Sequence, residues 1–126
     1  MEDRKKLIEL ELPFPPSVNI YWRKFKNRLV LSPRARFYIK AVGMLMLEYK
    51  NGCTGKFTAL NCDLIAGVDL YPPDKRVRDV DNYCKALFDS LTKAGVIEDD
   101  KQIKEMNVKF CGTTKGGKCL LKLYEM

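Results

Sequence analysis

Residues 73–100 decide how the rest of the chain is read. They begin Pro73-Asp74-Lys75-Arg76-Val77-Arg78-Asp79-Val80-Asp81-Asn82, continue as an apolar-periodic run to Gly95, and close on Glu98-Asp99-Asp100. Val80, Tyr83, Cys84, Leu87, Leu91 and Ala94 recur at helical spacing. Pro72-Pro73 bars a helix until Asp79, so the predicted helix starts at Asp79 and Asp81. Gly95 stops it as a left-handed residue just past Lys93 in the last turn. A basic cluster (Lys75, Arg76, Arg78) thus runs into one acidic cluster at the helix start, and a second acidic cluster waits on the exit loop.

Basic side chains suit phosphates, and converging carboxylates suit a hard divalent cation. If the chain folds Asp100 back beside Asp79 and Asp81, like charges about 4 Å apart cost roughly 4 kcal/mol at an effective dielectric near 20. A helix N-terminus offsets only about 0.3–1 kcal/mol per carboxylate. Mg²⁺, or Mn²⁺ in its place, resolves the conflict because hard cations take carboxylate oxygens and keep waters. Capping and turn chemistry also account for such acids one cluster at a time. Stepping by four from Asp81 reaches Lys85 and Asp89, one polar stripe beside the apolar face. That stripe is either a salt-bridged solvent face or a lysine set beside a bound phosphate.

Working outward, residues 5–12 read as a first strand, ended by Pro13, Pro15 and Pro16. Ser17 to Trp22 is a short strand or loop, where Asn19 and Tyr21 either meet a nucleic-acid backbone or pin the proline-rich loop. Ser32-Pro33 starts a helix, as N-cap and first helical residue, that runs to about Lys50 before Asn51-Gly52. Its second half is apolar almost all round, which predicts burial of more than one face, against the sheet and a partner subunit. Residues 57–71 read as one long strand with Leu60, Cys62, Leu64, Ala66, Val68 and Leu70 on one face. Asp69, on the other face, is either a fourth carboxylate near the metal or an exposed strand residue. Residues 103–110 and 118–125 are strands joined through a glycine turn at Thr114 to Gly117. The expected architecture is a single α+β domain over residues 1–126, in the order β-α-β-α-β-β, with a mixed sheet.

Composition narrows the chemistry. The 126 residues carry a formal net charge of +7, which favours a polyanionic partner. Arg23, Lys24, Lys26, Arg28, Arg34, Arg36 and Lys40 occupy residues 22–40 without an acid, interleaved with Trp22, Phe25, Phe37 and Tyr38. The chain has no histidine, which excludes imidazole bases, triads and histidine metal sites. Its five cysteines are odd in number and lack metal-ligand spacing, so they read as small hydrophobes in a reducing cytoplasm. Cys111 and Cys119 flank the turn and could face each other, but a disulfide between them is not expected. The charged start (Glu2, Asp3, Arg4, Lys5, Lys6) is unlike a signal peptide, and the longest apolar run, Ala41 to Leu47, is far below a membrane span.

Arg78-Asp79-Val80-Asp81-Asn82, Lys85, Phe88-Asp89-Ser90-Leu91-Thr92-Lys93-Ala94-Gly95 and Asp99-Asp100 together resemble the RusA family of Holliday-junction resolvases. Leu12-Pro13-Phe14-Pro15-Pro16-Ser17-Val18-Asn19 resembles that family's N-terminal signature, and Thr114-Lys115-Gly116-Gly117 its C-terminal hairpin. The resemblance implies a RusA-like fold, essential aspartates at Asp79, Asp81 and Asp100, an essential lysine at Lys85, and Asp99 as a neighbour of the ligand. It also implies a homodimer that recognises junction shape and cuts two strands. Two-fold substrate symmetry independently favours a two-fold protein. The expected reaction is metal-dependent phosphodiester hydrolysis of branched DNA, with Lys85 against the scissile phosphate. Phosphate tracking falls to Arg23, Lys75, Arg76, Arg78 and Lys115. A structure-selective DNA-binding protein without cleavage, expected to show scattered aspartates, is the alternative.

Overall fold

The computed structural model of the chain describes residues 4–53, 55 and 57–126, so Glu2 and Asp3 of the charged start lie outside the described residues. Its strands are β1 (Lys6–Leu12), β2 (Trp22–Phe25), β3 (Arg28–Leu31), β4 (Leu64–Tyr71), β5 (Ile103–Phe110) and β6 (Lys118–Glu125). The helices are α1 (Pro33–Asn51) and α2 (Cys84–Lys93), with one-turn 3₁₀ helices at Val18–Ile20, Val80–Asn82 and Asp100–Gln102.

Four strands form a mixed sheet in the order β1-β6-β4-β5. β6 pairs antiparallel with β1 and β4, and β4 pairs parallel with β5. A parallel pair needs a long crossover, and α2 supplies it. The period of two in these strands points Leu64, Ala66, Val68 and Leu70 into the core with Cys119, Leu121 and Leu123, all fully buried. Ala35, Val42 and Met46 of α1 and Ala86, Leu87 and Leu91 of α2 join the same apolar cluster. Burying each of these leucines contributes about 1.5–3 kcal/mol.

The caps follow the local chemistry. Ser32 Oγ accepts from the Ala35 amide at 3.1 Å, with Pro33 as first residue of α1. At the end of α2, Gly95 adopts φ 77°. The Gly95 and Val96 amides then donate back to the carbonyls of Thr92 and Leu91 at 3.2 and 3.0 Å. Lys50 Nζ, from the end of α1, donates to the Ala94 carbonyl at 2.7 Å and ties the two helices together.

The sheet strands and α-helices keep the expected β-α-β-α-β-β order, and the structure adds a hairpin between β1 and α1. β2 and β3 pair antiparallel around Lys26 and Asn27, both at positive φ. Charge concealed this hairpin, because basic residues mixed with aromatic ones read as a binding surface rather than as strands. Two expected boundaries move. The strand expected over 57–71 begins only at Leu64, with Leu60 in an isolated bridge to Ile97. The helix expected from Asp79 begins at Cys84, after the 3₁₀ turn Val80–Asn82 and a break at Tyr83. The Cys111–Cys119 disulfide is absent, since both thiols are free. Within one chain α1 buries the stripe that faces the sheet and α2, while Phe37, Met44, Leu45 and Leu47 stay exposed on its other side. No helix among the described residues is long and apolar enough to cross a membrane.

Candidate active site

The outward face of α2 carries the chemistry. Its inward positions are taken by apolar residues, so Lys85 and Asp89, one turn apart, project outward. Lys85 Nζ lies 3.3 Å from Asp89 Oδ2. Such a partly exposed helix pair contributes only about 0.3–0.5 kcal/mol, too little to orient the lysine by itself. The stronger contact comes from elsewhere in the chain. The hydroxyl of Tyr21, a fully buried residue, donates to Asp89 Oδ2 at 2.6 Å. A hydrogen bond to a charged acceptor contributes about 1.5–3 kcal/mol. Burial, then the bond to Asp89, raise the Tyr21 phenol above its usual range, so it remains a donor.

Asp100 approaches this pair from the exit loop. Partial burial of its carboxyl raises its proton affinity, a hydrogen bond with Asp99 and the charges of Asp99 and Asp89 raise it further, and Lys85 opposes them. Lys85, Asp89 and Asp100 therefore share one electrostatic neighbourhood. Asp99 has a different task. Its carboxylate caps the 3₁₀ turn by accepting from the Lys101 amide at 2.8 Å, which holds its proton affinity below the ordinary carboxylate range. Gln102 completes the loop: its Oε1 accepts from the Glu98 and Asp99 amides, and its Nε2 donates to the Leu60 and Cys62 carbonyls.

Asp79 and Asp81 flank and occupy the 3₁₀ turn ahead of α2. Asp79 makes no side-chain cap, and the Asp81 carboxylate has neither hydrogen bond nor ion pair among the described residues. The turn packs on β5, and the turn that opens with Asp100 packs on α2. Among the described residues no trio of Cys, Asp or Glu is arranged as a ready metal site. The donor set still fits a hard divalent cation in kind, because every candidate donor is a carboxylate oxygen. Mg²⁺ is usually bound by one or two carboxylates plus substrate phosphate and water. Asp100, held beside two other carboxylates, is in a position that a cation would stabilise. Asp69 stands apart, on the solvent face of β4, 3.9 Å from Lys109.

The basic residues divide into two kinds. Arg23, Lys75 and Lys115 are exposed. Arg78 is only 13% exposed and clamps its loop: it pairs with Asp74 at 2.9 Å, donates to the Asp74 and Arg76 carbonyls, and lies over the Phe14 ring. Arg76 pairs with the same carboxylate at 3.1 Å while remaining open to solvent. Both arginines, with the Arg76 amide, hold the Asp74 carboxyl well below the usual carboxylate range. Part of the positive charge read from this stretch is therefore neutralised inside it.

Comparison with known proteins places this arrangement. The family model of the endodeoxyribonuclease RusA matches residues 13–120. The chain belongs to the RusA family. It is 36% identical over 115 residues to the crossover junction endodeoxyribonuclease of Enterobacteria phage HK97, covering 91% of this chain and 92% of that one. The corresponding Escherichia coli K12 protein is 36% identical over 117 residues, covering 93% of each. The enzyme of Enterobacteria phage 82 is also 36% identical, over 121 residues.

Within this RusA family member, Lys85 and Asp100 share one neighbourhood, while Asp79 and Asp81 belong to the 3₁₀ turn that precedes α2. The roles of two contributors are set only by the fold. Tyr21 was left open between a DNA contact and a loop pin, and the structure makes it a pin, fastened to Asp89. Asp74 was passed over, although a carboxylate two and four residues before arginines is a local signal for an ion pair.

Proposed function

We propose that this chain is a crossover junction endodeoxyribonuclease that resolves four-way DNA junctions by paired phosphodiester cuts, in recombination and repair. The observation that carries this reading is the Lys85–Asp89–Asp100 neighbourhood on an outward helix face, in a chain matched nearly end to end by crossover junction endodeoxyribonucleases. Asp79, Asp81 and Asp100 would hold Mg²⁺, or Mn²⁺. The bound cation would supply an activated water and stabilise charge on the transferring phosphate. Lys85 faces the scissile phosphate and offsets its developing charge. Asp89, fixed by Tyr21, sets where the Lys85 ammonium stands. Arg23, Lys75, Arg76 and Lys115 track phosphates, and Arg78 shapes the loop that presents Arg76.

The working unit is a homodimer acting in the cytoplasm. Each chain carries one such centre, and two opposed cuts require two. The exposed apolar residues in the second half of α1, with Met44 63% and Leu47 61% accessible, support a covered helix face. The dispersed aspartates also favour a second reading, a junction-binding protein without cleavage. One assay separates the two. A labelled four-way junction and a linear duplex are incubated with Mg²⁺ and either wild type or Asp81→Asn. Paired symmetric cuts by wild type, with binding but no cuts by the variant, are expected. Tight junction binding by wild type without cuts in Mg²⁺ or Mn²⁺ would establish the second reading instead.

A further inference from the structure

A groove of about 560 Å³ opens between the proline-rich segment, the first turns of α1 and the Asp74–Arg78 loop. Its size falls in the roughly 300–1,000 Å³ range of small-ligand sites. The floor is rigid. The Tyr38 hydroxyl donates to the Pro13 carbonyl at 3.0 Å. The rings of Phe14 and Tyr83 meet at 5.0 Å. Gly117, at φ 72°, lies so close that a Cβ there would stand 2.8 Å from Phe14 Cβ. The walls are apolar and open: Phe37 is 76%, Val77 98% and Ile20 37% exposed. An almost fully exposed valine and a largely exposed phenylalanine lining one slot leave apolar area for something to cover.

Charge selects the occupant. The groove is lined by Arg34, Arg76 and Arg78 and by no carboxylate. Arg78 and Arg76 are paired with Asp74, whereas Arg34 makes no ion pair among the described residues. Arg34 lies in the first turn of the 19-residue α1, where the helix dipole adds to its attraction for an anion. Phe37 follows three residues later on the same face. A second copy of the chain, itself at +7, is a poor match for this lining. An aromatic slot with an arginine at its edge matches a nucleotide, a flat apolar base joined to a phosphate.

We propose that the groove takes one unstacked nucleotide of the DNA, with its base between Phe37 and Val77 and its phosphate on Arg34. The inference rests on the junction reading above, since a branch point is where a duplex offers an unstacked base at least cost. It gives the protein a means of telling a branch from continuous duplex that needs no base sequence.

The test uses a four-way junction with 2-aminopurine at successive branch-point positions and a fluorophore on one distal arm, in EDTA so that no strand is cut. Arm anisotropy reports binding, and 2-aminopurine fluorescence reports the base. Variants are Phe37→Ala and Arg34→Gln, with Lys122→Gln on the far sheet face as control. The exposure of Phe37 makes its loss harmless to folding, which melting checks. With wild type and Lys122→Gln, one branch position is expected to change fluorescence in step with binding. Phe37→Ala and Arg34→Gln are expected to abolish that change and weaken junction binding about 5- to 140-fold, from roughly 1–3 kcal/mol per stacked base at 1.4 kcal/mol per decade, with a smaller effect on duplex. Saturated binding without a fluorescence change at any branch position overturns the groove assignment and leaves the junction reading standing. An altered sedimentation state in Phe37→Ala also overturns it, since a second copy would then be the occupant. No junction binding by wild type overturns both.

Discussion

Tyr21→Phe is the most informative single change to the acidic face. It removes one oxygen and leaves the buried ring, so no cavity opens and the Trp22 ring contact at 5.2 Å survives. What is lost is the 2.6 Å donation to Asp89, which spans 68 positions of sequence. A charge-assisted bond of this kind contributes about 1.5–3 kcal/mol. The Asp89 side chain is 23% exposed, so water replaces part of the donation. The lower end, about 1.5 kcal/mol, is then the expected loss. For 126 residues the unfolding entropy is about 0.26 kcal/mol/K, which converts that loss to a fall in Tm of roughly 6 °C. Tyr38→Phe is the control, because its hydroxyl donates at 3.0 Å to a neutral carbonyl and should cost only about 0.5–1.5 kcal/mol. The assay is urea unfolding of both variants, followed by single-turnover junction cutting. Tyr21→Phe should be the more destabilised and should cut more slowly at unchanged junction affinity, because Lys85 loses its fixed neighbour. A loss below about 0.5 kcal/mol, the range of ordinary surface changes, would refute the argument that Tyr21 holds Asp89.

Three further outcomes follow from the geometry. Asp74→Asn frees Arg76 from its carboxylate, so the slope of log affinity against log salt should steepen by about one for DNA binding; an unchanged slope would show that Arg76 does not reach phosphate. Ser32→Ala removes the cap on Ala35 and should cost about 0.5–2 kcal/mol in a urea melt. Alkali should destabilise the fold, because burial pushes the Cys84 and Cys119 thiols up to about 11 and about 12 and raises the Tyr21 and Tyr38 phenols. The unfolded chain ionises these groups at about 8.5 for thiols and about 10 for phenols. Their contribution is therefore complete below pH about 8.5 and fades as pH rises toward the folded values. The urea midpoint should fall steadily from pH about 9 to 11, and a flat profile would contradict it.

Elements governed by local rules were legible. Ser32-Pro33 opened α1, Gly95 closed α2, and Ile103–Phe110 and Lys118–Glu125 appeared as strands with the bounds read from alternation. The hairpin Trp22–Leu31 was not, because Arg23-Lys24 and Leu29-Val30-Leu31 break the period of two and the charge signal dominates the stretch. The start of α2 was misplaced because Val80 and Tyr83 fit the helical period, while the chain spends one 3₁₀ turn there before Cys84.

By itself the sequence determined the α+β class, both long helices, the strands of the main sheet and the resemblance to the RusA family. Each depends on a period, a cap or a motif within a few residues. Only the tertiary structure decided which charges meet. It set Tyr21 against Asp89, brought Asp100 beside Lys85, left Asp81 without a partner among the described residues, turned Asp69 to the opposite sheet face, and let Asp74 neutralise two arginines. The physical reason is that hydrophobic periodicity is set by neighbours along the chain, whereas Coulomb energy falls with distance in space and is blind to separation in sequence.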